Sequence, residues 1–217
     1  RTGEGLEEIR VALTDRAANV SNKNADGPLR LPIDRIFTMR GFGVVVTGTL
    51  FSGRVHLEGR VTLQPKNVTA RVRGLQVHGE NLQQATAGQR TAVNLQGLEK
   101  ETIERGDVLA APDSLKPSYM LDAALHHLVD APRPLKNRDR IRFHQGTVEA
   151  IGRVALIGTD ALPSGEKGFV QFRLERPVVV RPGDRFVIRS YSPVTTISGG
   201  KILDSHPPKH RRLHPET

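Results

Sequence analysis

The sequence contains no cysteine and no tryptophan among its 217 residues, and aromatic residues make up only 4% of it. Without cysteine there is no disulfide framework, no thiolate metal site and no cysteine nucleophile. No apolar run approaches the length of about 18 residues that a membrane-spanning helix needs. The N-terminus also lacks the basic and then apolar pattern of a signal peptide. These absences favour a cytoplasmic protein with no membrane partner.

Positive charge is in excess, with 32 lysines and arginines against 23 acidic residues and a formal net charge of +9. This balance favours a polyanionic partner, most simply nucleic acid, and the alternative is a basic surface that only confers solubility. Because aromatic rings are scarce, we expect contacts to phosphate and sugar of structured RNA rather than stacking on bases. Arg140 and Arg142 are two residues apart, so on a strand they share one face. We consider them candidates for contacts to an RNA backbone, the alternative being an ordinary solvated strand face.

The chain changes its hydrophobic period after an opening helical segment. Apolar residues at helical spacing predict a helix over residues 5–18, and a polar linker follows at 21–27. From residue 28 onwards, short segments with alternating apolar residues follow glycine turns, and a break bounded by prolines lies at 112–117. The pattern predicts an all-β chain of two barrels or sandwiches, one on each side of the break.

No catalytic or cofactor-binding motif is present. The chain lacks a phosphate-binding loop of the form Gly-x-x-x-x-Gly-Lys-Ser/Thr, and it lacks the Gly-x-Ser-x-Gly elbow of many hydrolases. The eight histidines include no pair with convincing metal spacing on a predicted helix. We therefore predict no catalytic residue, no metal site and no bound cofactor in this chain.

Three segments carry a broad family resemblance. The sequence GFGVVVTGTL at residues 41–50, closed by a turn at Gly53, resembles domain 2 of the translational GTPases. The sequence IERGDVLA at residues 103–110 is similar to the end of the same barrel. The sequence TGEGL at residues 2–6 resembles the entry to the last helix of their GTPase domain.

Three further segments resemble one branch of that superfamily, the selenocysteine-specific elongation factors. They are IDRIF at residues 33–37, AGQR at 87–90, and RSYSPVTTI at 189–197 with the glycines 199 and 200. The sequence departs from the family at Ser198, where a glycine is usual, and this departure concerns a local turn.

The resemblance covers residues 1–206 and implies an all-β fold of two antiparallel β-barrels, which are translation-factor domains 2 and 3. The implied divisions are a remnant helix of a missing GTPase domain with its linker at 1–27, the first barrel at 28–114, the second barrel at 115–206 and a basic tail at 207–217.

The implied partners are selenocysteyl-tRNA and the ribosome, together with the selenocysteine insertion element of a messenger RNA. The last of these would be bound through missing C-terminal domains. GTP and magnesium would bind the missing GTPase domain, so the resemblance implies no cofactor in this chain.

The resemblance also implies a site for the aminoacyl end of the tRNA on the first barrel. Phe37, Gln76 and His78 match positions near the terminal adenosine and the aminoacyl ester, with Gln76 standing where the general elongation factor has glutamate. Arg35 matches an acidic position of that general factor, and Arg90 matches an asparagine. Both differences add positive charge where the amino-acid side chain would lie.

The added positive charge is suited to selenocysteine, whose side chain can carry a negative charge. A selenol is a stronger acid than a thiol, so its side chain is largely an anion near neutral pH, and arginine offers a permanent charge and several directed donors. Arg35 and Arg90 would thus favour a selenolate over the hydroxyl of serine. The alternative for Arg90 is that it caps the barrel rim or pairs with a carboxylate. Asp34 either orients Arg35 or forms the end of a strand.

Two other interpretations of the chain remain at this point. It could be the barrel pair of a different translational GTPase, or a general RNA-binding β module without amino-acid readout. The presence of both Arg35 and Arg90 favours a selenocysteine-specific factor over both of these alternatives. A hydrolase built on β-barrels would need a converging acid and base, which the sequence does not show.

Overall fold

The computed structural model describes residues 2–20, 25–39 and 43–210. The single α-helix of these ranges, α1 at Leu6–Ala18, confirms the predicted helix and buries none of its residues. Its apolar side chains Leu6, Ile9 and Leu13 are each more than half exposed. No helix in the described ranges is long and apolar enough to cross a membrane.

Nine strands form the first barrel. They are β1 (Arg30–Met39), β2 (Gly43–Thr49), β3 (Arg54–His56), β4 (Arg60–Gln64), β5 (Val68–Val77), β6 (Glu80–Asn81), β7 (Gln84–Thr86), β8 (Arg90–Gln96) and β9 (Val108–Ala110). Six of them close a ring in the order β4-β9-β1-β2-β8-β5, because β4 and β5 also pair. Strand β6 pairs with the end of β5 in antiparallel orientation. Strands β3 and β7 pair with each other outside the ring. A 3₁₀ turn at Lys100–Thr102 precedes β9.

Eight strands form the second barrel. They are β10 (Ser118–His127), β11 (Leu135–Lys136), β12 (Arg140–Gln145), β13 (Val148–Ile157), β14 (Ala161–Leu162), β15 (Lys167–Val178), β16 (Arg185–Ser190) and β17 (Thr196–Asp204). The closed ring runs β10-β15-β13-β12-β16-β17, and β11 pairs with β14. Phe143, Phe172 and Phe186 meet inside the ring, with centroids 5.1–5.5 Å apart. The predicted all-β fold of two antiparallel barrels is therefore confirmed.

Strand β17 is the main element that the sequence pattern did not predict. Its glycines interrupt the apolar–polar alternation. One of them, Gly200, is required because β17 packs closely against β10. A Cβ on Gly200 would stand 2.0 Å from the carbonyl oxygen of Ala124 on β10. Ser198 lies inside this strand rather than in a turn, and its buried hydroxyl lies 2.8 Å from Nδ1 of His127. The hydroxyl gives that buried imidazole a polar partner, which a glycine would not.

The two barrels meet through one buried ion pair and a small apolar cluster. Arg30 of β1, whose side chain is 4% exposed, reaches across to Asp184 before β16, with an Nη2–Oδ2 distance of 2.6 Å. The same guanidinium donates to the carbonyl oxygen of Val179 at 3.4 Å. The apolar cluster beside it comprises Val108, Ala110, Leu115 and Val179.

Three predicted segments lie partly outside the described residues. Residues 21–24 of the polar linker and residues 211–217 of the basic tail are not described, and neither are residues 41 and 42 of the first family motif. The described start of the tail is held by the second barrel. Gln171 donates to the carbonyl oxygen of Pro208 at 2.8 Å, and Arg173 donates to that of His210 at 3.0 Å.

Candidate functional site

The outer face of the first barrel brings most of the predicted site residues onto neighbouring strands. Strand registers across β1, β2, β8 and β5 define two rows of residues. The first row is Arg35, Thr47, Ala92 and Gln76, and the second is Phe37, Val45, Asn94 and Gly74. The two rows lie side by side, because alternate residues of a strand point to one face of a sheet. Arg90 opposes Thr49 on the same outward set of β2 and β8.

Asp34 is placed on this face by a β-bulge in β1. Ile33 opposes Gly48 and Arg35 opposes Thr47, so β1 carries one residue more than β2 at this point. A bulge re-aims a side chain that would otherwise follow the alternation. Consequently Asp34 accepts a hydrogen bond from the hydroxyl of Thr47 at 2.8 Å.

Asp34 and Arg90 form a two-point ion pair on this face. Nη1 of Arg90 lies 2.5 Å from Oδ2 of Asp34, and Nη2 lies 3.0 Å from Oδ1. The hydrogen bond from Arg90 is the main cause that lowers the pKa of the Asp34 carboxyl, against the opposing effect of burial. The same contact raises the pKa of Arg90. The carboxylate therefore pairs with Arg90 and not with Arg35. A carboxylate partner was the alternative considered for Arg90, but neither predicted role of Asp34 included it.

Arg35 keeps its charge unpaired. Its side chain is exposed and makes no hydrogen bond or ion pair with any residue that the structure describes. It acts on Asp34 only through space, as one of the charges that lower the pKa of that carboxyl. The three groups together carry one net positive charge, and Arg35 is the one of the two arginines that has no carboxylate partner among the described residues.

A groove of about 460 Å³ opens beside the two rows. Gln76 lies at its wall and donates from Nε2 to Oδ1 of Asn81 at 3.0 Å. Asn94, which the sequence analysis missed, lines the groove with a buried side-chain oxygen that has no hydrogen-bond partner among the described residues. Asn81 was missed as well, and no short-range pattern identifies either asparagine. The groove offers amide groups on an apolar floor, which suits a planar heterocycle with donors at its edge.

His78 and Phe37 stand at the margins of this face. Phe37 is 45% exposed. His78 is exposed and occupies the tight turn between β5 and β6, where it adopts a positive φ of 53°. It therefore lies outside the two strand rows.

Arg140 and Arg142 share the outer face of β12, as predicted, but neither is a free cation. Arg140 makes two 3.1 Å hydrogen bonds to the Glu175 carboxylate. Arg142 contacts Glu149 at 2.5 Å. Both guanidinium groups lie over the ring of Tyr191, at 4.3 and 5.2 Å from its centroid. A phosphate that binds here must compete with two carboxylates.

The Asp34–Arg90 pair predicts a measurable change in titration. Replacing Arg90 with glutamine should raise the pKa of Asp34, because the largest cause of its depression is removed. A depressed folded-state pKa contributes stability that is present above the unfolded-state value of about 3.9 and is lost as the pH falls through the folded value. The variant should therefore lose less stability on acidification. Carbon-detected NMR titration of the Asp34 carboxyl tests this.

The matched control is Arg54→Gln, since Arg54 of β3 pairs with Asp26 of the linker and not with Asp34. It should leave the Asp34 titration unchanged. An unchanged Asp34 pKa in Arg90→Gln would show that the ion pair does not persist in solution.

No group of three or more histidine, cysteine, aspartate or glutamate residues in the described ranges is arranged to hold a metal ion. The arrangement on the first barrel is one of permanent cations, amides and an exposed ring. These groups are suited to binding a polar ligand.

Comparisons with known proteins agree with this picture. Residues 122–209 match the family described as the β-barrel domain of selenocysteine-specific elongation factor, and residues 43–110 match domain 2 of elongation factor Tu. The chain is 42% identical over 211 residues, 97% of its length, to the selenocysteine-specific elongation factor of Desulfomicrobium baculatum. It is 33% identical over 215 residues, 99% of its length, to that of Escherichia coli. It spans 33% of each of these relatives.

The fold of this chain is also similar to that of a solved selenocysteine-specific elongation factor. The crystal structure of a bacterial selenocysteine-specific elongation factor superposes with a TM-score of 0.78 at 28% sequence identity, covering 92% of this chain and 32% of that one. The chain therefore belongs to the family of selenocysteine-specific elongation factors and carries their paired β-barrel domains.

Proposed function

We propose that this chain is the tRNA-holding core of a factor that delivers selenocysteyl-tRNA to the ribosome. The observation that carries the proposal is the pairing of Asp34 with Arg90, which leaves Arg35 as an unpaired cation on a face that also carries the amide-lined groove. The first barrel would hold the aminoacyl end, and the second would hold the tRNA body. We retain residues 28–114 and 115–206 as the bounds of these two domains.

The groove suits the terminal adenosine. Gln76, Asn81 and Asn94 offer amide donors and acceptors to the base or ribose. His78 follows β5 and Phe37 lies on β1, with β2 and β8 between them, so the two would approach the aminoacyl end from opposite sides. The amino-acid side chain would then extend toward Arg35. A selenolate gains an ion pair with the guanidinium there, whereas the neutral serine hydroxyl gains only a hydrogen bond from it.

The other activities of such a factor belong to the rest of the protein. GTP and magnesium would be bound by a GTPase domain, and the messenger RNA insertion element by C-terminal domains. The barrels themselves would act in the cytoplasm as a binding unit and not as an enzyme. This division accounts for the lack of a phosphate-binding loop in the 217 residues.

The direct test is a competition in a full-length factor that carries these barrels, loaded with GTP. Selenocysteyl-tRNA should displace labelled selenocysteyl-tRNA at a much lower concentration than seryl-tRNA with the same tRNA body. Protection of the aminoacyl ester from hydrolysis gives an independent readout. Equal competition by the two charged tRNAs would contradict the proposal.

The tRNA body should bind with a steep dependence on salt, because each neutralised phosphate releases counterions. In the double variant Arg140→Gln with Arg142→Gln, the slope of log affinity against log salt should decrease by about two, one for each lost phosphate contact. Arg54→Gln, which removes another ion-paired arginine, is the control and should leave the slope unchanged. A double variant with the wild-type slope would remove these two arginines from the interface.

A further inference from the structure

The second barrel carries an ordered outer face that none of the site residues above belongs to. Registers across β15, β10, β17 and β16 define two outward rows of four residues. The first row is Phe169, Ala124, Lys201 and Arg185, and the second is Lys167, His126, Gly199 and Val187. We call these eight residues the β10–β17 face. In the closed ring, β10 and β17 lie opposite β12 and β13, so this face points away from Arg140 and Arg142.

The basic residues of the β10–β17 face lack counter-charges. Arg185 stands directly opposite Lys201, and Lys167 directly opposite His126. Basic side chains facing each other across neighbouring strands repel when both are charged, and this destabilises the sheet. None of the four makes a hydrogen bond or ion pair with a described residue, and the residues that line the groove here include no carboxylate. Arg90, Arg140 and Arg142 differ in this respect, since each has a carboxylate partner.

The same face exposes an aromatic ring over a floor of small residues. Phe169 is 58% exposed and Val187 is 40% exposed. Between them, Ala124 and Gly199 leave the sheet surface almost without side chains. The resulting groove has a volume of about 920 Å³. The sequence analysis expected stacking to be of little importance because aromatic residues are few, but the fold places one of them beside four unpaired basic groups.

We propose that the β10–β17 face binds a segment of single-stranded RNA. A base stacks on Phe169 and lies over the flat floor of Ala124 and Gly199. The flanking phosphates pair with Lys201, Arg185 and Lys167, which relieves the repulsion between the opposed cations. A cationic groove that carries an exposed ring on a sheet is the arrangement by which proteins hold single strands. An acidic peptide would satisfy the charges but would leave the ring and the flat floor without a planar partner.

Fluorescence anisotropy of the 217-residue chain with a labelled uridine oligomer of about 12 nucleotides tests this proposal, a length within the range that single-strand sites cover. Phe169→Ala should weaken binding about tenfold or more, which is the loss expected for one stacked base. Phe169→Leu retains the apolar bulk and should weaken it as well. The pair Arg185→Glu with Lys201→Glu should abolish binding at physiological salt.

Two variants serve as matched controls. Tyr119→Ala removes an exposed ring that lies on β10 and outside the β10–β17 face (56% exposed). Lys116→Glu reverses an exposed charge just before β10. Both should bind the oligomer as the wild type does. Arg35→Met should do so too, so failure of the tRNA proposal and failure of this one can be told apart.

Three results would overturn the proposal. They are equal affinity for an RNA duplex of the same length, unchanged affinity in both Phe169 variants, and tighter binding of a polyglutamate peptide than of the oligomer. The last of these would identify the face as a docking surface for an acidic protein segment.

Discussion

Replacing Asp184 with asparagine is expected to lower the free energy of unfolding by about 3 kcal/mol, the lower end of the range for breaking a buried ion pair. The reason is that Arg30 remains enclosed between the barrels with its charge uncompensated. Its side chain is 4% exposed, and that of Asp184 is 17% exposed. Asparagine keeps an oxygen for the backbone N–H of Arg181, which Asp184 binds at 2.9 Å. The substitution thus removes the charge and retains the turn.

Urea unfolding followed by circular dichroism measures this loss. The control is Glu58→Gln, which makes the same chemical change in the exposed pair between Glu58 and Arg71 (54% and 58% exposed). Exposed pairs contribute less than about 1 kcal/mol. If the two variants lost the same stability, the contact between the barrels would not be a stabilising element of the fold.

In the full-length factor with GTP, Arg35→Met is expected to weaken selenocysteyl-tRNA binding about ten- to a hundredfold more than seryl-tRNA binding. A hydrogen bond to a charged group contributes about 1.5–3 kcal/mol, and each 1.4 kcal/mol is a factor of ten. The tRNA body is common to both ligands, so it cancels in the comparison. Arg35 is the stronger candidate because its charge is unpaired in the structure.

Arg90→Asn should act in the same direction for a second reason. It removes a donor, and it also leaves the Asp34 carboxylate without its partner, facing the selenolate. The effects of the two substitutions need not add, since both cations address one anion. Arg54→Met serves as the control on the same barrel. Equal losses for both charged tRNAs would mean that these arginines support the barrel and do not read the side chain.

The alternation was sufficient to predict two all-β units, because most strands are long enough to show it, and the family resemblance supplied the choice of barrels over sandwiches. Val44, Val46 and Gly48 of β2 face inward, with Val45 and Thr47 between them, as a half-buried strand should. Strands β3 and β7 have three residues each, which is too few to establish a period of two. Strand β17 was obscured by glycines that a close approach of two backbones requires.

The charges of the site could be predicted only in part. Arg35 and Arg90 were named as candidates, but the partner of Arg90 was not, because an ion pair depends on contacts far apart in sequence. Asp34 and Arg90 are separated by 56 positions, and the bulge that joins them leaves no mark in the sequence. The basic stripe on β12 was predicted correctly as a shared face. Its neutralisation by Glu149 and Glu175 depends on strand registers that only the fold reveals.

The closure of the second ring has a consequence for synthesis on the ribosome. Strand β10 at Ser118–His127 has one of its two neighbours in β17 at Thr196–Asp204, so about 70 residues separate the partners. At 5–20 residues per second, the ribosome needs roughly 3–14 s to supply the closing strand. During that interval β10 presents an unpaired edge, and such edges promote aggregation. All six strands of the first ring precede β10 in the chain, so that ring can close and provide a folded neighbour before β17 is made.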